Sequence, residues 1–167
     1  IIDKWSRAET AVLCGADLVL ELPVIYATSS AEIFAKGSVS ILDDLGIVDY
    51  LSFGSECGDI ELIKAIGKLL AMEPVEYKEL LKNNLKLGLP FARAREKALK
   101  SYLHKVGTDL EDEQKLQELL SSSNNILAIE YCKALYKRNS NIEPITIIRQ
   151  GESYNSLDRT SSYVSAT

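Results

Sequence analysis

The sequence is poor in the side chains that bind transition metals. Its 167 residues include one histidine, His104, so a metal site of several histidines or a catalytic histidine pair cannot arise within it. The three cysteines, Cys14, Cys57 and Cys132, are odd in number and widely spaced, which gives no zinc pattern and fits a reducing cytoplasm. Charged residues interrupt every apolar stretch, so none is long enough to span a bilayer.

The first residues give no sign of a targeting segment. Residues 1–5 are not the basic region and apolar run of a signal peptide, and no initiator methionine precedes them. Because a helix pattern begins almost at once, we expect this sequence to be a fragment of a longer protein. Its composition, 46% hydrophobic and 26% charged, is that of one globular domain with its own core.

The first part of the chain, residues 1–71, alternates between helix and strand patterns. Helices are predicted at residues 3–14, 29–45 and 60–71, and strands at 18–22 and 47–53. The predicted helix starts are an Asp3 cap, an Asp59 cap and a capping box of Ser29 with Glu32, while Gly46 is a predicted stop. Such alternation is typical of an α/β fold with a parallel sheet and helices on both faces.

The pattern changes after residue 71, where three helices follow one another without a strand. They are predicted at residues 74–87, 90–103 and 112–120, and we assign residues 72–120 to a helical insertion or subdomain. Residues 121–167 then return to the core. This last part has a polar loop at 121–125, a helix at 126–137, a strand at 144–149 and a loop at 151–163.

Three positions have the chemistry of a nucleotide site. Gly54 lies in a glycine turn between a strand and a helix, where a phosphate can approach the backbone, although an ordinary strand–loop–helix corner has the same pattern. Arg149 follows a strand and could clamp a phosphate or lie at the surface. Asn124 and Asn125 could cap a helix or bind a ligand. Cys57 beside the glycine turn fits inert packing better than catalysis.

Charge is unevenly distributed along this acidic chain. The net charge is −5, yet residues 72–105 carry eight basic and four acidic side chains, a local charge of +4. A basic segment in an acidic protein is a candidate docking face for an anionic polymer, while helix-pair spacing of its charges also fits a solvated surface. The candidate RNA contacts are Lys78, Lys82, Lys86, Arg93 and Arg95.

Several motifs of this chain occur together, and in the same order, in one known family. They are IDKWSRAE at 2–9, GADLVLELP at 15–23, AEIFAKG at 31–37, FGSE at 53–56, SNNIL at 123–127, PIT at 144–146 and SAT at 165–167. With these motifs the chain resembles the bacterial tRNA(Met) cytidine acetate ligase family of the HIGH-type nucleotidyltransferase superfamily. The resemblance covers nearly the whole chain and is weakest over residues 72–120.

The resemblance implies a Rossmann-like nucleotidyltransferase core and a particular reaction. Members of the family use ATP to activate acetate as acetyl-adenylate, and they acetylate the exocyclic amine of the wobble cytidine in elongator tRNA(Met). Their ATP contacts match Gly54, Asn124 and Arg149 of this sequence. Mg²⁺ is expected with ATP, and the cytoplasm is the expected location; no membrane partner is implied, no protein metal ligands are assigned, and the oligomeric state stays open.

Two motifs of the superfamily are incomplete in this sequence. The HxGH histidines belong upstream of residue 1, so no catalytic residue is assigned here. The closing motif, Ser-x-Thr-x-x-Arg, retains only Ser165 and Thr167. We therefore expect a polypeptide of these 167 residues alone to be inactive, because removing even one group that stabilises transferring charge costs about 10²–10³ in rate.

Two other functions fit the same sequence. One is a nucleotidyltransferase with a small-molecule acceptor, since the fold alone does not fix the acceptor. The other is a non-catalytic α/β module that binds RNA or protein. Adenylyl transfer without RNA would indicate the first, and a full-length protein that does not bind ATP would indicate the second.

Overall fold

A computed structural model describes residues 2–106 and 113–149, with no side-chain description for residues 113–115. In chain order the described elements are α1 Lys4–Leu13, α2 Val24–Ala27, α3 Ala31–Leu45, β1 Tyr50–Ser55, α4 Ile60–Met72, α5 Val75–Lys86, α6 Phe91–Val106, α7 Glu113–Ser121, α8 Ser123–Arg138 and β2 Glu143–Ile148. Within the described ranges, no helix is long and apolar enough to cross a membrane.

The two strands form a parallel pair, as the alternating pattern predicts. Tyr50 pairs with Glu143 at one end and Ser55 with Ile148 at the other, so both strands end at the same edge. Of the described elements, helices α4 to α8 lie between them in sequence. The face that carries Phe53 packs against α8, whereas Ile147, beside Gly54 on the opposite face, is 64% exposed.

The core lies among the helices on one face of the sheet. One cluster joins α4, α5, α6, α7 and α8, so the core is continuous across the predicted boundary at residue 72. That domain division stays a prediction. The buried members of this cluster are Leu62, Ile63, Ile66, Leu70, Tyr77, Ala98, Leu99, Leu103, Leu116, Leu119, Ala128, Ile129 and Cys132.

The close contact of α4 with α8 depends on one glycine. A Cβ atom at Gly67 would lie 2.8 Å from the Cβ of Cys132 and 3.0 Å from the backbone nitrogen of Lys133. The first distance is shorter than real Cβ contacts allow and the second is at the limit, so only glycine lets the two helices approach to this separation without a shift.

Local capping signals predict several helix ends correctly. The Asp3 carboxylate accepts hydrogen bonds from two backbone N–H groups of α1, and Asp59 accepts one from Leu62 at the start of α4. Gly46 ends α3 in the left-handed conformation, with φ of 67°. The structure confirms these three helix ends. They could be predicted because a cap acts on a helix that is adjacent in sequence.

The prediction of a strand at residues 18–22 is wrong. This segment has no regular secondary structure, no strand pairs with it within the described residues, and Leu18, Val19 and Leu20 are at least 40% exposed. An apolar run indicates burial; a strand also needs a hydrogen-bonded partner, which local sequence cannot provide.

Two predicted helix starts are also wrong. Ser29 does not cap α3: its hydroxyl donates to the Ile25 carbonyl, and Ser30 is the N-cap residue. The short α2 before it has no counterpart among the predicted helices. Helix α8 begins at Ser123, so Asn124 and Asn125 lie in its first turn and not in a preceding loop. The start of α8 is capped by Glu56, a residue distant in sequence that accepts hydrogen bonds from the backbone N–H groups of Asn124 and Asn125.

Candidate nucleotide site

The carboxyl edge of the strand pair brings Gly54 and Arg149 together. Arg149 follows β2, and its backbone N–H donates to the Ser55 carbonyl at 2.9 Å, which continues the pairing one residue beyond the strand. Its side chain crosses Gly54, because a Cβ added there would lie 3.3 Å from the Arg149 Cγ. Arg149 is exposed, so its guanidinium is accessible to an anion at this edge.

Glu56 joins this edge to the start of α8. Its Oε1 accepts from Asn124 Nδ2 at 2.7 Å and from the Asn124 backbone N–H at 3.3 Å. Its Oε2 accepts from the Asn125 backbone N–H at 2.9 Å. The carboxylate therefore satisfies N–H groups that the first turn of a helix leaves without an intrahelical partner.

Asn125 completes the connection in the opposite direction. It is 1% exposed, and its Oδ1 accepts from the backbone N–H groups of Glu56 at 2.9 Å and Cys57 at 3.1 Å. We call these reciprocal contacts of Glu56, Asn124 and Asn125 the clamp. Because every bond of the clamp links the loop after β1 to α8, it fixes the position of Asn124 relative to Gly54.

The environment of Glu56 favours its ionised form. Partial burial alone would raise the pKa of Glu56, but the hydrogen bonds from the Asn124 side chain and from the backbone N–H groups of Glu56, Asn125 and Asn124 outweigh it and lower the pKa. At neutral pH, Glu56 is therefore a carboxylate that only accepts hydrogen bonds.

A pair of hydroxyl groups, one on each strand, also stabilises this edge. Ser55 is completely buried, and its Oγ lies 2.7 Å from Thr146 Oγ1 across the two strands. The same Oγ accepts from the backbone N–H of Gly58 at 3.0 Å, which holds the loop that contains Glu56. The loop is thus fixed by side chains of β1, β2 and α8.

The other predicted nucleotide contacts, Ser165 and Thr167, lie outside the described residues. Within the described part of the chain, no group of three His, Cys, Asp or Glu side chains could hold a metal ion.

The predicted RNA contacts divide into two environments. Lys78, Lys82 and Lys86 recur every fourth residue along α5, and all three are exposed, although Lys78 lies 3.5 Å from the Glu73 carboxylate. Arg93 is exposed on α6 and lines a groove of about 330 Å³ with Lys97 and Lys100. These side chains can reach an anionic polymer. We call the four residues Lys78, Lys82, Lys86 and Arg93 the basic face.

Arg95 differs from the other candidates. Its side chain is 16% exposed, and its Nη1 donates to Oε1 of Glu130, which is 3% exposed, at 2.7 Å. The second oxygen of Glu130 accepts from Lys133 at 3.0 Å, and Lys133 also reaches Glu32 at 2.7 Å. Because its charge is already paired inside the protein, we leave Arg95 out of the basic face.

The sequence predicted neither a role for Glu56 nor its connection with Asn125, although Asn125 itself was a candidate. An acidic residue two positions after the strand glycine was visible in the sequence as a local signal. Its partners, however, lie 68 and 69 residues further along the chain. No periodicity or capping pattern connects residues at that separation.

Comparisons with known proteins identify the family of this chain. The family model for the HIGH nucleotidyl transferases matches residues 1–167. A protein of Clostridium perfringens (strain ATCC 13124) named tRNA(Met) cytidine acetate ligase is 54% identical over 155 residues, which cover 93% of this chain and 38% of that protein. A protein of the same name from Clostridium tetani is 50% identical over 167 residues, 100% of this chain and 40% of that protein. The chain thus spans about 40% of the length of these relatives.

Two solved structures of TmcAL from Thermotoga maritima have the same fold. One, bound with alpha-thio ATP, superimposes with a TM-score of 0.83 at 43% identity and covers 90% of this chain and 35% of that chain. The apo form gives a TM-score of 0.87 at 41% identity and covers 96% of this chain and 38% of that chain. These likenesses confirm the predicted α/β, Rossmann-like nucleotidyltransferase core.

Proposed function

Because the chain belongs to the HIGH nucleotidyl transferase family, we propose that it forms the nucleotide-binding part of an ATP-dependent tRNA(Met) cytidine acetate ligase. The observation that carries this proposal is the identity of about 50% to proteins of that name over 93–100% of the chain. The solved relative bound with an ATP analogue supports ATP as the substrate.

The proposed reaction has two steps, neither of which needs a covalent nucleophile of the protein. An oxygen of acetate attacks the α-phosphorus of ATP, so that pyrophosphate leaves and acetyl-adenylate forms. The exocyclic amine of the wobble cytidine then attacks the acetyl carbonyl, releases AMP and loses a proton. Both steps depend on positioning the reactants and on stabilising negative charge.

The residues at the carboxyl edge suit the first step. Gly54 presents no side chain toward the ligand, and the exposed Arg149 guanidinium beside it can stabilise phosphate charge. Asn124, held by the clamp, offers a polar contact to the rest of ATP. Mg²⁺ would arrive with the phosphates, because Mg²⁺ in such sites is held largely by substrate phosphates and needs few protein ligands.

We assign elongator tRNA(Met) to the basic face. Its exposed cations can contact the phosphate backbone, which contributes most of the sequence-independent affinity for nucleic acids. This assignment predicts a cytoplasmic protein, since its acceptor is a tRNA.

The proposed activity can be tested with the full-length protein that contains this chain. The protein is incubated with ATP, Mg²⁺, isotope-labelled acetate and unmodified elongator tRNA(Met), and the nucleosides are analysed by mass spectrometry. We expect labelled acetylcytidine only when ATP is present. Acetate-dependent formation of AMP without labelled RNA would indicate that the acceptor is a small molecule and not tRNA. The absence of both products would refute the enzyme assignment.

The basic face has its own test. Replacing Lys82 and Lys86 by Glu in the full-length protein adds two negative charges in place of two positive ones. We expect weaker tRNA binding and a flatter dependence on salt, by about 0.9 in log–log slope for each phosphate that the protein no longer neutralises. The Glu76→Lys and Glu79→Lys variant, with opposite charge changes on the same helix, is the matched control. An unchanged salt slope in the Lys82 and Lys86 variant would exclude this face.

A further inference from the structure

The clamp restricts which way the Asn124 side-chain amide can face. The amide has one oxygen and one nitrogen, and the two ends are nearly equal in shape. Glu56 Oε1 lies 2.7 Å from Nδ2, and the backbone N–H of the same asparagine is bound by the same oxygen. Turning the amide over would place its oxygen against a carboxylate oxygen, which is unfavourable because both atoms are only acceptors.

The orientation of the amide determines what is left for a ligand. Asn124 Oδ1 has no hydrogen-bond partner within the described ranges, and the side chain is half-buried, so this oxygen is an available acceptor. An amide oxygen carries partial negative charge and repels phosphate oxygens. It suits a donor group, and ATP carries donors only on its adenine amine and its ribose hydroxyls.

We propose that Glu56 is a positioning residue that fixes the Asn124 amide, so that Oδ1 accepts a hydrogen bond from the nucleoside of ATP and not from its phosphates. This inference rests on the proposed function only in taking ATP as the ligand. It assigns the phosphates to the Arg149 side of Gly54. The nucleoside lies on the α8 side, where Glu56 and Asn125 join the loop to the helix.

These separate positions for the phosphates and the nucleoside agree with the charges at this edge. Arg149 is the cation beside Gly54, whereas Glu56 is an anion whose oxygens accept three N–H groups from the first turn of α8. A phosphate next to Glu56 would meet a like charge, while a neutral nucleoside would not. The same carboxylate can therefore orient Asn124 without opposing nucleotide binding.

The test measures nucleotide selectivity in the full-length protein. Equilibrium binding is compared for ATP, for purine riboside triphosphate, which lacks the adenine amine, and for the 2′-deoxy and 3′-deoxy forms of ATP, which each lack one hydroxyl. We expect the unmodified protein to bind one of these analogues about tenfold more weakly than ATP. The analogue affected identifies the amine or the hydroxyl as the donor.

The variants separate positioning from general stability. Asn124→Ala should bring the ATP-to-analogue ratio close to one, and Glu56→Gln should reduce it several-fold, because an amide at position 56 can pair with either end of Asn124. Glu56→Asp keeps the carboxylate and should recover part of the selectivity. Glu61→Gln, an exposed acid on the first turn of α4, is the control and should keep the unmodified ratio.

A ratio of affinities does not depend on the fraction of protein that is folded, so a destabilised variant still gives a clear result. Equal binding of ATP and all analogues by the unmodified protein would overturn the inference, as would Glu56→Gln or Asn124→Ala variants that retain full selectivity. Retained selectivity in those variants would mean that a group other than Asn124 recognises the nucleoside. A protein that shows this selectivity but makes no acetylcytidine would refute the proposed function alone.

Discussion

Arg95 provides the sharpest test of whether a charge of the helical segment stabilises the fold or is free to contact RNA. The sequence places it beside Arg93 among five equivalent RNA contacts, but the structure pairs its guanidinium with a buried carboxylate. We consider the substitution Arg95→Met, which keeps the length and apolar stem of the side chain and removes its charge. Arg93→Met on the same helix is the matched control, because Arg93 is exposed.

The expected loss of stability depends on which partners of Glu130 remain after the substitution. Removing one partner of a fully buried ion pair costs about 3–5 kcal/mol. Glu130 keeps Lys133 at 3.0 Å, and the Arg95 side chain is 16% exposed, so part of the charge stays compensated. We therefore expect Arg95→Met to lower the free energy of unfolding by about 2 kcal/mol, and Arg93→Met to change it by less than about 0.5 kcal/mol.

Urea unfolding followed by far-ultraviolet circular dichroism measures this difference. The only tryptophan, Trp5 on α1, is 74% exposed, so its fluorescence would be a poor probe of unfolding. Replacing Glu130 by Met as well should recover part of the stability, because the buried carboxylate is then absent. Equal stabilities for the Arg93 and Arg95 variants would refute the reasoning and return Arg95 to the RNA candidates.

Three further predictions concern packing, the nucleotide site and pH. Gly67→Ala should destabilise the protein by about 1–2 kcal/mol in the same unfolding assay despite the better helix propensity of alanine, because its Cβ would meet Cys132. Gly54→Ala should leave stability unchanged or raise it by up to about 1 kcal/mol and yet weaken ATP binding several-fold, because it displaces Arg149; unchanged ATP affinity would contradict this. Glu32 accepts a hydrogen bond from Lys133. This bond, together with nearby positive charges, outweighs partial burial and lowers the pKa of Glu32 from its usual 4.5. Its stabilising effect should therefore be present above pH 4.5 and disappear as the pH falls through the lowered pKa, so that the unfolding midpoints of the unmodified protein and Glu32→Gln converge in acid.

The helix ends show which structural features local sequence can predict. Asp3, Asp59 and Gly46 mark real helix ends, because an N-cap carboxylate or a left-handed glycine acts on backbone groups within a few residues. The strand at β2 is predicted within one residue for the same kind of reason, since its apolar run and proline are local features. The parallel pairing followed from the alternation of elements, although the predicted strand at 18–22 was wrong.

The candidate site was only partly accessible to sequence reasoning. Gly54, Asn124 and Arg149 were singled out as separate positions at element ends, and their roles in binding ATP stay predictions. The contacts of Glu56 and Asn125 that hold them relative to one another were not predicted. The ion pair of Arg95 was not predicted for a related reason, because the carboxylate that accepts from it lies on another helix, 35 residues away.

The sequence by itself determined the helices with local caps, the α/β pattern and the chemical types of residue at the strand ends. Tertiary structure alone decided that α8 starts at Ser123, because the N–H groups of its first turn are satisfied by Glu56, a residue that precedes α4 in the chain. It also decided that the Arg149 side chain lies beside Gly54 and that the partly exposed Arg95 is paired with the buried Glu130. Caps and turns act over a few residues, whereas a charge or an amide is satisfied by whichever group the fold brings within about 3 Å, at any separation along the chain.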